Sequence, residues 1–426
     1  MINFSDLLVG IDFEIDTVDG KRVRTINFDN AATTPPFRNI LESIISLSNY
    51  YGSIGRGAGY KAEFTTNLYN ESKEYILNFF NIKEKNKYTV IYVNNTTDGI
   101  NKLSRTFKHK KDDVLLTTRM EHHSNDLPWR RRWKVDYVDV DILGRLRLDD
   151  LEKKLNHYKG KVRYVSVTGA SNVTGYINKI HNIARIAHKY RAKIIIDGAQ
   201  LVPHKKVDMW GECEEERIDF LVFSGHKLYA PFGGGAIVGL KEEFDNNLPD
   251  NDGGGTVEFV MDKEVKYLLS PEKDEAGTPN FFGSIAIAKS LSKLDEIGFE
   301  TIGGIEEKLK NKLLDGLQCI PNIINYGDII NREDRLGIGV FNVGNIFHHD
   351  VAEILAKFYG ISVRQGWFCA HPYCRRLMHM SEKAASAFIY NKNKKMPGMI
   401  RASFGIYNKE EEVDSFLNAI EDIAKK

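Results

Sequence analysis

The sequence has few cysteines, and their spacing argues against two kinds of site. Only four of the 426 residues are cysteine, and no two of them have the C-x-x-C spacing that zinc sites and redox centres use. A chain of this length can bury enough surface to fold without disulfide bonds. We therefore expect free thiols, no metal site and a reducing, cytoplasmic location.

Net charge and long apolar runs are also missing. The 59 basic and 58 acidic side chains leave a formal charge of +1, which gives no electrostatic reason to expect nucleic acid or an anionic membrane as a partner. No apolar run approaches the roughly 20 residues of a membrane span. The first residues, MINFSDLLVGIDFEID, carry acids where a signal peptide needs bases. The run PWRRRW is interpreted as a solvated face and not as a nucleic-acid site.

What the sequence does contain is a series of apolar strand-like runs separated by helical patterns. Examples are YTVIYV, DVLLTT, RYVSVTG, AKIIID and IDFLVF. This alternation predicts an α/β fold with right-handed βαβ units and a mostly parallel sheet covered on both faces. After about residue 285 the pattern changes to a smaller α+β domain. We expect a large domain over 26–285, a small domain over 286–426, and residues 1–25 packing on the small domain.

Polar residues follow the predicted strands where each strand ends, the usual place for active sites in such sheets. Thr96 and Thr97 open a helix, whose free N–H groups suit a phosphate; a simple helix cap explains them equally well. Asp197 follows one strand, and Lys227 follows another. An acid and a lysine at neighbouring strand ends suit pyridoxal phosphate, which needs a lysine for a Schiff base, an acid for its pyridine nitrogen and donors for its phosphate.

Nine motifs occur in the order seen in class V aminotransferase-fold enzymes. They are NFDNAATTPP, NNTTDGIN, MEHHSNDLPW, SNVTG, IDGAQ, FSGHKLYAPFGGG, EAGTPN, RQGWFCAHP and IRASFGIYNKEEEVD. The set resembles the cysteine desulfurases, particularly the branch of sulfur-mobilising desulfurases and selenocysteine lyases. The resemblance runs from about residue 25 to the C-terminus. It implies pyridoxal-phosphate fold type I, a seven-stranded sheet, and a homodimer with active sites at the subunit interface.

The resemblance also implies roles for individual residues. Lys227 would carry the cofactor and move a proton, His122 would stack on the ring, and Asp197 would pair with the pyridine nitrogen. The cofactor-binding set is Thr96, Thr97, His122, Asn172, Asp197, Gln200, Ser224, His226, Lys227 and Thr278, the last donated by the other subunit. The substrate-binding set is Asn30, Ala31, Arg56, Asn172, Arg364 and Arg401.

Two residues of these motifs bear on the reaction. Arg401 matches the arginine that grips the substrate carboxylate, a task that suits a planar guanidinium; a structural salt bridge is the alternative. Cys369 matches the catalytic cysteine, which would take sulfur from L-cysteine as a persulfide and release alanine. The alternative there is a buried structural cysteine. Cys374 could receive the sulfur in turn.

The substrate and pathway stay open at this point. A selenocysteine lyase, a carbon–sulfur lyase, an aminotransferase or an epimerase would keep the fold without using Cys369, and a scaffold protein would keep it without chemistry. A sulfur-acceptor protein is a candidate partner, in iron–sulfur cluster assembly, nucleoside thiolation or a narrower pathway.

The sequence departs from the pattern of this branch near the cysteine. Two histidines usually precede the cysteine, whereas Trp367 and Phe368 stand there, and Gly55 replaces a histidine before Arg56. These changes remove three acid–base groups and make the surroundings of the cysteine more apolar. One hypothesis is that the aromatic pair shields a persulfide from water.

Overall fold

A computed structural model of the chain describes residues 4–55, 57–390 and 395–425. Its strands are β1 (Glu14–Asp16), β2 (Arg22–Arg24), β3 (Ile26–Asn27), β4 (Tyr88–Val93), β5 (Val114–Thr118), β6 (Lys134–Val138), β7 (Val162–Thr168), β8 (Lys193–Asp197), β9 (Phe220–Ser224), β10 (Gly235–Leu240), β11 (Val257–Val260), β12 (Val265–Tyr267), β13 (Ile323–Asn325), β14 (Ile338–Val343), β15 (Ile361–Ser362), β16 (Arg364–Gly366) and β17 (Met399–Ser403).

Helices connect most of these strands. They are α1 (Phe4–Leu7), α2 (Arg38–Leu47), α3 (Tyr60–Phe79), α4 (Thr96–Thr106), α5 (Leu127–Arg132), α6 (Leu148–Tyr158), α7 (Ile180–Lys189), α8 (Lys241–Asp245), α9 (Phe281–Ile297), α10 (Phe299–Cys319), α11 (His348–Tyr359), α12 (His371–Leu377), α13 (Glu382–Tyr390) and α14 (Glu410–Ala424). Within the described ranges, none of these helices combines the length and apolar character needed to cross a bilayer.

The central sheet has seven strands in the order β4-β10-β9-β8-β7-β5-β6. Strand β10 is antiparallel to both of its neighbours, and the pairs from β9 to β6 are all parallel. The predicted α/β fold with a mostly parallel, seven-stranded sheet is therefore confirmed. The carboxyl ends of the parallel strands meet at one edge of the sheet, where ligand sites form in such folds.

Both faces of this sheet are covered by apolar side chains. Ile194 and Ile196 belong to one buried cluster, whereas Ile195 between them belongs to another on the opposite face. This alternation follows from the pleat of the strand, which directs successive side chains to opposite faces. It explains why these strands are continuous apolar runs in the sequence.

A second sheet of four antiparallel strands, β13-β14-β17-β16, has its own core with α10, α11 and α14. Near the start of the chain, Ile26 of β3 pairs with Ile361 of β15, and the Val18 N–H donates to the Lys357 carbonyl at 3.1 Å. Helix α9 crosses residue 285 and packs its apolar residues into the core of the large sheet. The domain bounds at 25 and 285 stay a prediction.

Candidate active site

A cavity of 580 Å³ lies at the carboxyl edge of the large sheet and reaches the second sheet. It brings together most of the residues predicted from the sequence. Those lining it are Ala31, Thr96, Thr97, His122, Asn172, Asp197, Gln200, Ser224, His226, Lys227, Arg364, Cys369 and Arg401.

Two other predicted residues are placed differently, and a third lies outside the described residues. The Asn30 amide is used within the fold, because its Nδ2 donates to the Asn27 carbonyl at 2.8 Å and its Oδ1 accepts from the Tyr407 hydroxyl at 2.9 Å. Thr278 is exposed and lines two other cavities. Arg56 lies outside the described residues.

Lys227 lies just beyond the end of β9, with its side chain half-buried in the cavity wall. Burial lowers the pKa of its ammonium to about 8, and the nearby Arg401 and Arg364 act in the same direction, against Asp197 and Cys369. Its ammonium has no hydrogen-bond or ion-pair partner in the part of the chain that the structure describes. A lysine of this kind gives up its proton near neutral pH and can act as a nucleophile or base.

Asp197 ends β8, the strand next to β9, and is only 3% exposed. Burial raises the pKa of its carboxyl, while the Ala199 N–H, which donates to Oδ1 at 3.0 Å, and the charge of Lys227 lower it. Because burial disfavours the charged form, a cationic group such as a protonated ring nitrogen would be the fitting partner for this carboxyl at the cavity wall.

Glu121 is a second buried carboxyl that the sequence reasoning missed. It accepts hydrogen bonds from the Asn125 amide at 2.7 Å and from the Thr168 N–H at 3.1 Å. Burial, with a smaller contribution from Asp197, raises its pKa to about 8. Its place beside His122 in the motif MEHHSNDLPW was the available signal, but the motif alone does not reveal burial.

His122 contributes a neutral imidazole to the cavity wall. Its Nδ1 accepts the Ser124 N–H at 3.1 Å, which places the ring proton on Nε2. Burial lowers its pKa to about 3, and the positive charges of Lys227, His123 and Arg401 add to this effect. A neutral flat ring is well suited to stack on an aromatic ligand.

Hydroxyl groups collect around the N-terminus of α4 at one end of the cavity. The Asn95 side chain caps this helix by accepting the Asp98 N–H at 3.0 Å. Ser224 Oγ accepts the Thr96 N–H at 2.8 Å, and the Thr97 and Ser124 hydroxyls are 2.6 Å apart. An eleven-residue helix that starts among hydroxyls provides the donors and the positive dipole end that a phosphate needs.

Two arginines form the opposite wall. Arg364 and Arg401 are directly paired across β16 and β17, and both contact the Asp29 carboxylate, at 3.5 Å and 3.0 Å. Arg401 also donates to the Asn172 carbonyl at 2.7 Å, and its Nε is buried with no partner among the described residues. The salt bridge considered as an alternative for Arg401 is therefore present. Because the two guanidinium groups share the single Asp29 carboxylate, one positive charge is left over, and it can bind a substrate carboxylate.

Cys369 lies on the loop between β16 and α12 and is exposed, so the interpretation as a buried structural cysteine is wrong. The loop is pinned from both sides: the Asn172 amide donates to the Phe368 carbonyl at 2.8 Å, and the His123 N–H donates to the Cys369 carbonyl at 2.6 Å. Phe368 and Cys369 have φ values of 47° and 53°. Non-glycine residues pay roughly 1–2 kcal/mol for this left-handed conformation, which these hydrogen bonds offset.

Two histidines flank this loop in place of those that the sequence lacks. The His371 N–H donates to His123 Nε2 at 3.3 Å, and the two rings are 4.5 Å apart. His371 lines the cavity, and burial lowers its pKa. The sequence reasoning missed it, although its position two residues after Cys369 was a signal.

Cys374 is buried, and its thiol donates to the Trp367 carbonyl at 3.2 Å. Burial raises the pKa of this thiol strongly. A buried neutral thiol is a poor nucleophile, which argues against sulfur transfer from Cys369 to Cys374.

Comparisons with known proteins agree with this geometry. Residues 26–416 match the family described as Aminotransferase class-V. A probable cysteine desulfurase of Pyrococcus abyssi is 34% identical over 94% of this chain and 94% of its own, and a cysteine desulfurase of Cronobacter sakazakii is 32% identical over 97% of each chain. The apo structure of a cysteine desulfurase from Thermococcus onnurineus superposes with a TM-score of 0.82 at 32% identity, covering 94% of this chain and 95% of that one.

Proposed function

This chain belongs to the class-V aminotransferase family, and we propose that it is a pyridoxal-phosphate-dependent cysteine desulfurase that converts L-cysteine to L-alanine with Cys369 as the sulfur carrier. The observation that carries the proposal is that an exposed cysteine on a pinned loop lines the same cavity as Lys227, Asp197 and a pair of arginines. The similar proteins named cysteine desulfurase support the choice of substrate.

The residues of the cavity fit pyridoxal phosphate by their chemistry. The hydroxyls and the helix N-terminus at Thr96 and Thr97 suit its phosphate, with Ser224 and His226 beside them. Asp197 suits its ring nitrogen, and His122 suits its ring face. When bound, the cofactor supplies an electrophilic carbon and an electron-withdrawing ring that stabilises negative charge on the substrate.

The protein side chains have distinct tasks in this reaction. Arg401, with Arg364 beside it, binds and orients the substrate carboxylate. Lys227, with a pKa of about 8, is able both to accept and to return a proton at the substrate Cα. Asp197 would hold the protonated ring nitrogen of the cofactor, whose positive charge would favour the ionised form of the carboxyl.

Cys369 performs the sulfur transfer. Its thiolate attacks the sulfur of the substrate, so that an S–S bond forms while the Cβ–S bond breaks. The electron pair of the broken bond stays with Cβ, which takes up a proton to become the methyl group of alanine. The substrate sulfur remains on Cys369 as a persulfide. Because this chemistry needs a reduced thiol, we place the protein in the cytoplasm.

We also propose a homodimer in which Thr278 serves the site of the partner. Thr278 is exposed and outside the Lys227 cavity of its own chain. The nearby hairpin β11–β12 exposes Phe259, Val260 and Val265, which are between 46% and 63% accessible. A dimer interface would cover these apolar side chains. Light scattering of the purified protein tests the dimer, and a monomer with full activity would exclude the role of Thr278.

The function is tested with the cofactor-loaded protein, L-cysteine and a thiol reductant, by measuring alanine and sulfide together. We expect equal amounts of both products from the wild type. Cys369→Ala should abolish both while leaving the cofactor absorbance unchanged, and Cys319→Ala, which removes another exposed cysteine, should have no effect. Pyruvate and ammonia as products, or full activity of Cys369→Ala, would indicate a carbon–sulfur lyase and reject the proposal.

A further inference from the structure

Three guanidinium groups lie together beside the Cys369 loop, and the mechanism above does not use them. We call Arg119, Arg130 and Arg376 the arginine cluster. The Cζ atoms of Arg119 and Arg130 lie 3.9 Å and 5.3 Å from the centre of the Tyr137 ring. Burial and repulsion from Arg376 and Arg130 lower the pKa of Arg119. The three positive charges are thus close enough to interact.

The carboxylates at this place do not neutralise the cluster. Arg130 makes a bidentate pair with Asp126, at 2.7 Å and 2.6 Å, and Arg376 contacts Asp139 at 3.2 Å. Arg119 has no hydrogen-bond or ion-pair partner for its guanidinium in the described residues. The charge of Asp139 also acts on Arg119, so that two carboxylates, Asp126 and Asp139, face three guanidinium groups. Two further exposed cations, Arg131 and Arg132, follow on α5.

The cluster is tied to the cysteine loop by short connections. Arg130 is on α5, seven residues after His123 in the sequence. The His123 N–H donates to the Cys369 carbonyl at 2.6 Å. Arg376 is on α12, the helix that begins at His371 next to the loop, and its Nη1 donates to the Pro372 carbonyl at 3.0 Å. An anionic molecule bound by the cluster would therefore contact the segments on either side of the Cys369 loop.

Exposed apolar side chains border the same region. Leu127, at the start of α5, is 51% accessible, and Ile142 and Leu143 are 78% and 41% accessible. The loop with Leu143 is joined to α12, because the Tyr373 hydroxyl donates to the Gly144 carbonyl at 2.7 Å. Exposed apolar residues next to arginines are typical of a protein–protein interface, whereas the binding of a small anion does not require apolar side chains.

We propose that the arginine cluster, together with Leu127, Ile142 and Leu143, docks an acidic protein that accepts sulfur from Cys369. This inference rests on the proposed function, since it identifies the partner of the same site. The acceptor presents a cysteine next to carboxylates. Its thiolate attacks the outer sulfur of the Cys369 persulfide, so that a new S–S bond forms on the acceptor and the bond to Cys369 breaks. Cys369 leaves as a thiolate and takes up the proton that the acceptor thiol lost, so no oxidant or reductant is needed.

Docking is tested first without sulfur chemistry. Two fluorescent peptides of equal length are compared by anisotropy with the cofactor-loaded protein: one carries aspartate and glutamate around a central serine, the other lysine. We expect the acidic peptide to bind at least about tenfold more tightly at low salt, with an advantage that fades as ionic strength rises. Arg119→Glu/Arg376→Glu should remove this advantage, and Arg376→Gln, a milder change, should reduce it. The matched control Lys153→Glu/Lys308→Glu reverses two exposed lysines elsewhere and should not change it.

Sulfur transfer is tested second, with the central serine replaced by cysteine. The protein is treated with L-cysteine, the excess is removed, and the persulfide on Cys369 and then on the peptide is followed by mass spectrometry. Preferential transfer to the acidic peptide supports the proposal. Equal binding of both peptides overturns the proposal even when the persulfide forms. Selective binding without any persulfide rejects the proposed function and leaves a basic surface that docks acidic peptides. Tighter binding of a single-stranded oligonucleotide of the same charge would overturn the choice of a protein partner.

Discussion

Asp197 and Cys369 line the same cavity, but the chain holds them in different ways. Asp197 is 3% exposed at the end of a central strand, with a backbone N–H fixed on its carboxylate. Cys369 is exposed on a loop whose backbone is in a left-handed conformation. We refer to the first region, with Lys227 and His122, as the floor, and to the second, from Trp367 to His371, as the rim.

The two regions differ in how the protein controls their reactive groups: the floor shifts pKa values, and the rim fixes the position of one sulfur atom. On the floor, burial is the first cause of every shift: it lowers the pKa of Lys227 and His122 and raises that of Asp197. On the rim, hydrogen bonds to backbone carbonyls fix the position of an accessible sulfur. Floor residues should therefore control what the cofactor does, and rim residues should control where the sulfur goes.

The largest effect is expected on the floor, from Lys227→Ala. Loss of the residue that moves protons at the substrate Cα should lower the rate of alanine formation by about 10²–10⁴-fold or more. The measurement is alanine released by protein incubated with excess pyridoxal phosphate. Circular dichroism serves as the control for folding, since the Lys227 ammonium has no hydrogen-bond or ion-pair partner among the described residues. Activity within tenfold of the wild type would exclude the central role of this lysine.

A second floor variant, Asp197→Asn, keeps the shape and removes the charge. We expect a loss of about 10²–10³-fold in turnover, as for the removal of one preorganised electrostatic group, together with a changed cofactor absorption spectrum. The rim variant Cys369→Ser should keep the wild-type spectrum. If both variants keep it, the separation between floor and rim fails.

Arg401 belongs to neither the floor nor the rim, and Arg401→Lys tests its role in binding the substrate carboxylate. Lysine keeps the charge but loses the planar pair of donors, so we expect KM for L-cysteine to rise by about 10–100-fold, since a hydrogen bond to a charged group is worth about 1.5–3 kcal/mol. Steady-state kinetics of alanine formation give KM and kcat separately. A drop in kcat with unchanged KM would mean that Arg401 acts structurally, through Asp29 and Asn172.

Stability against pH reports on the floor without any substrate. The pKa of His122 is about 3 in the folded protein, below its ordinary value of 6.5. The unfolded chain therefore binds the proton more readily, and stability that is present above pH 6.5 is lost as the pH falls from 6.5 toward 3. A group that stays unprotonated in the folded protein but is protonated in the unfolded chain lowers the free energy of unfolding by about 1.4 kcal/mol for each pH unit.

The test compares the cofactor-free wild type with His122→Phe, which keeps an aromatic ring but does not titrate. Urea unfolding midpoints at pH 7.5 and 5.5 give the pH dependence of each protein. We expect a smaller loss for the variant, while His226 and His371, whose pKa values are also lowered by burial, keep part of the dependence in both proteins. Parallel curves would show that His122 does not titrate differently on folding.

Much of the floor could be predicted from the sequence, because its residues directly follow apolar runs. Asp197 and Lys227 come at or just after strand ends, and the ends of parallel strands meet at one edge. The alternation of apolar runs with helical patterns likewise predicted the mostly parallel sheet. Burial could not be predicted: neither the low pKa of Lys227 nor the buried carboxyl of Glu121 follows from the local sequence.

The rim was less predictable, because its contacts join distant parts of the chain. His123 follows β5 and holds the loop of Cys369 near the other end of the sequence. The sequence does not show that these two segments are in contact. The absence of histidines before Cys369 therefore predicted an apolar environment, whereas the structure places the His123 and His371 rings there. The motif also assigned Asn30 to the substrate, but the fold uses its amide internally.

The smallest effect is expected on the rim, from Cys374→Ala. The two cysteines are five residues apart, but Cys374 is buried and its thiol donates to the Trp367 carbonyl. Removal of one sulfur from the core should cost about 1 kcal/mol of stability and change sulfide release by less than about twofold, because a buried neutral thiol is a poor nucleophile. Sulfide release and the urea midpoint are measured side by side with Cys369→Ala. If Cys374→Ala instead traps the persulfide on Cys369, then the rim uses both sulfurs, and exposure does not decide which cysteine reacts.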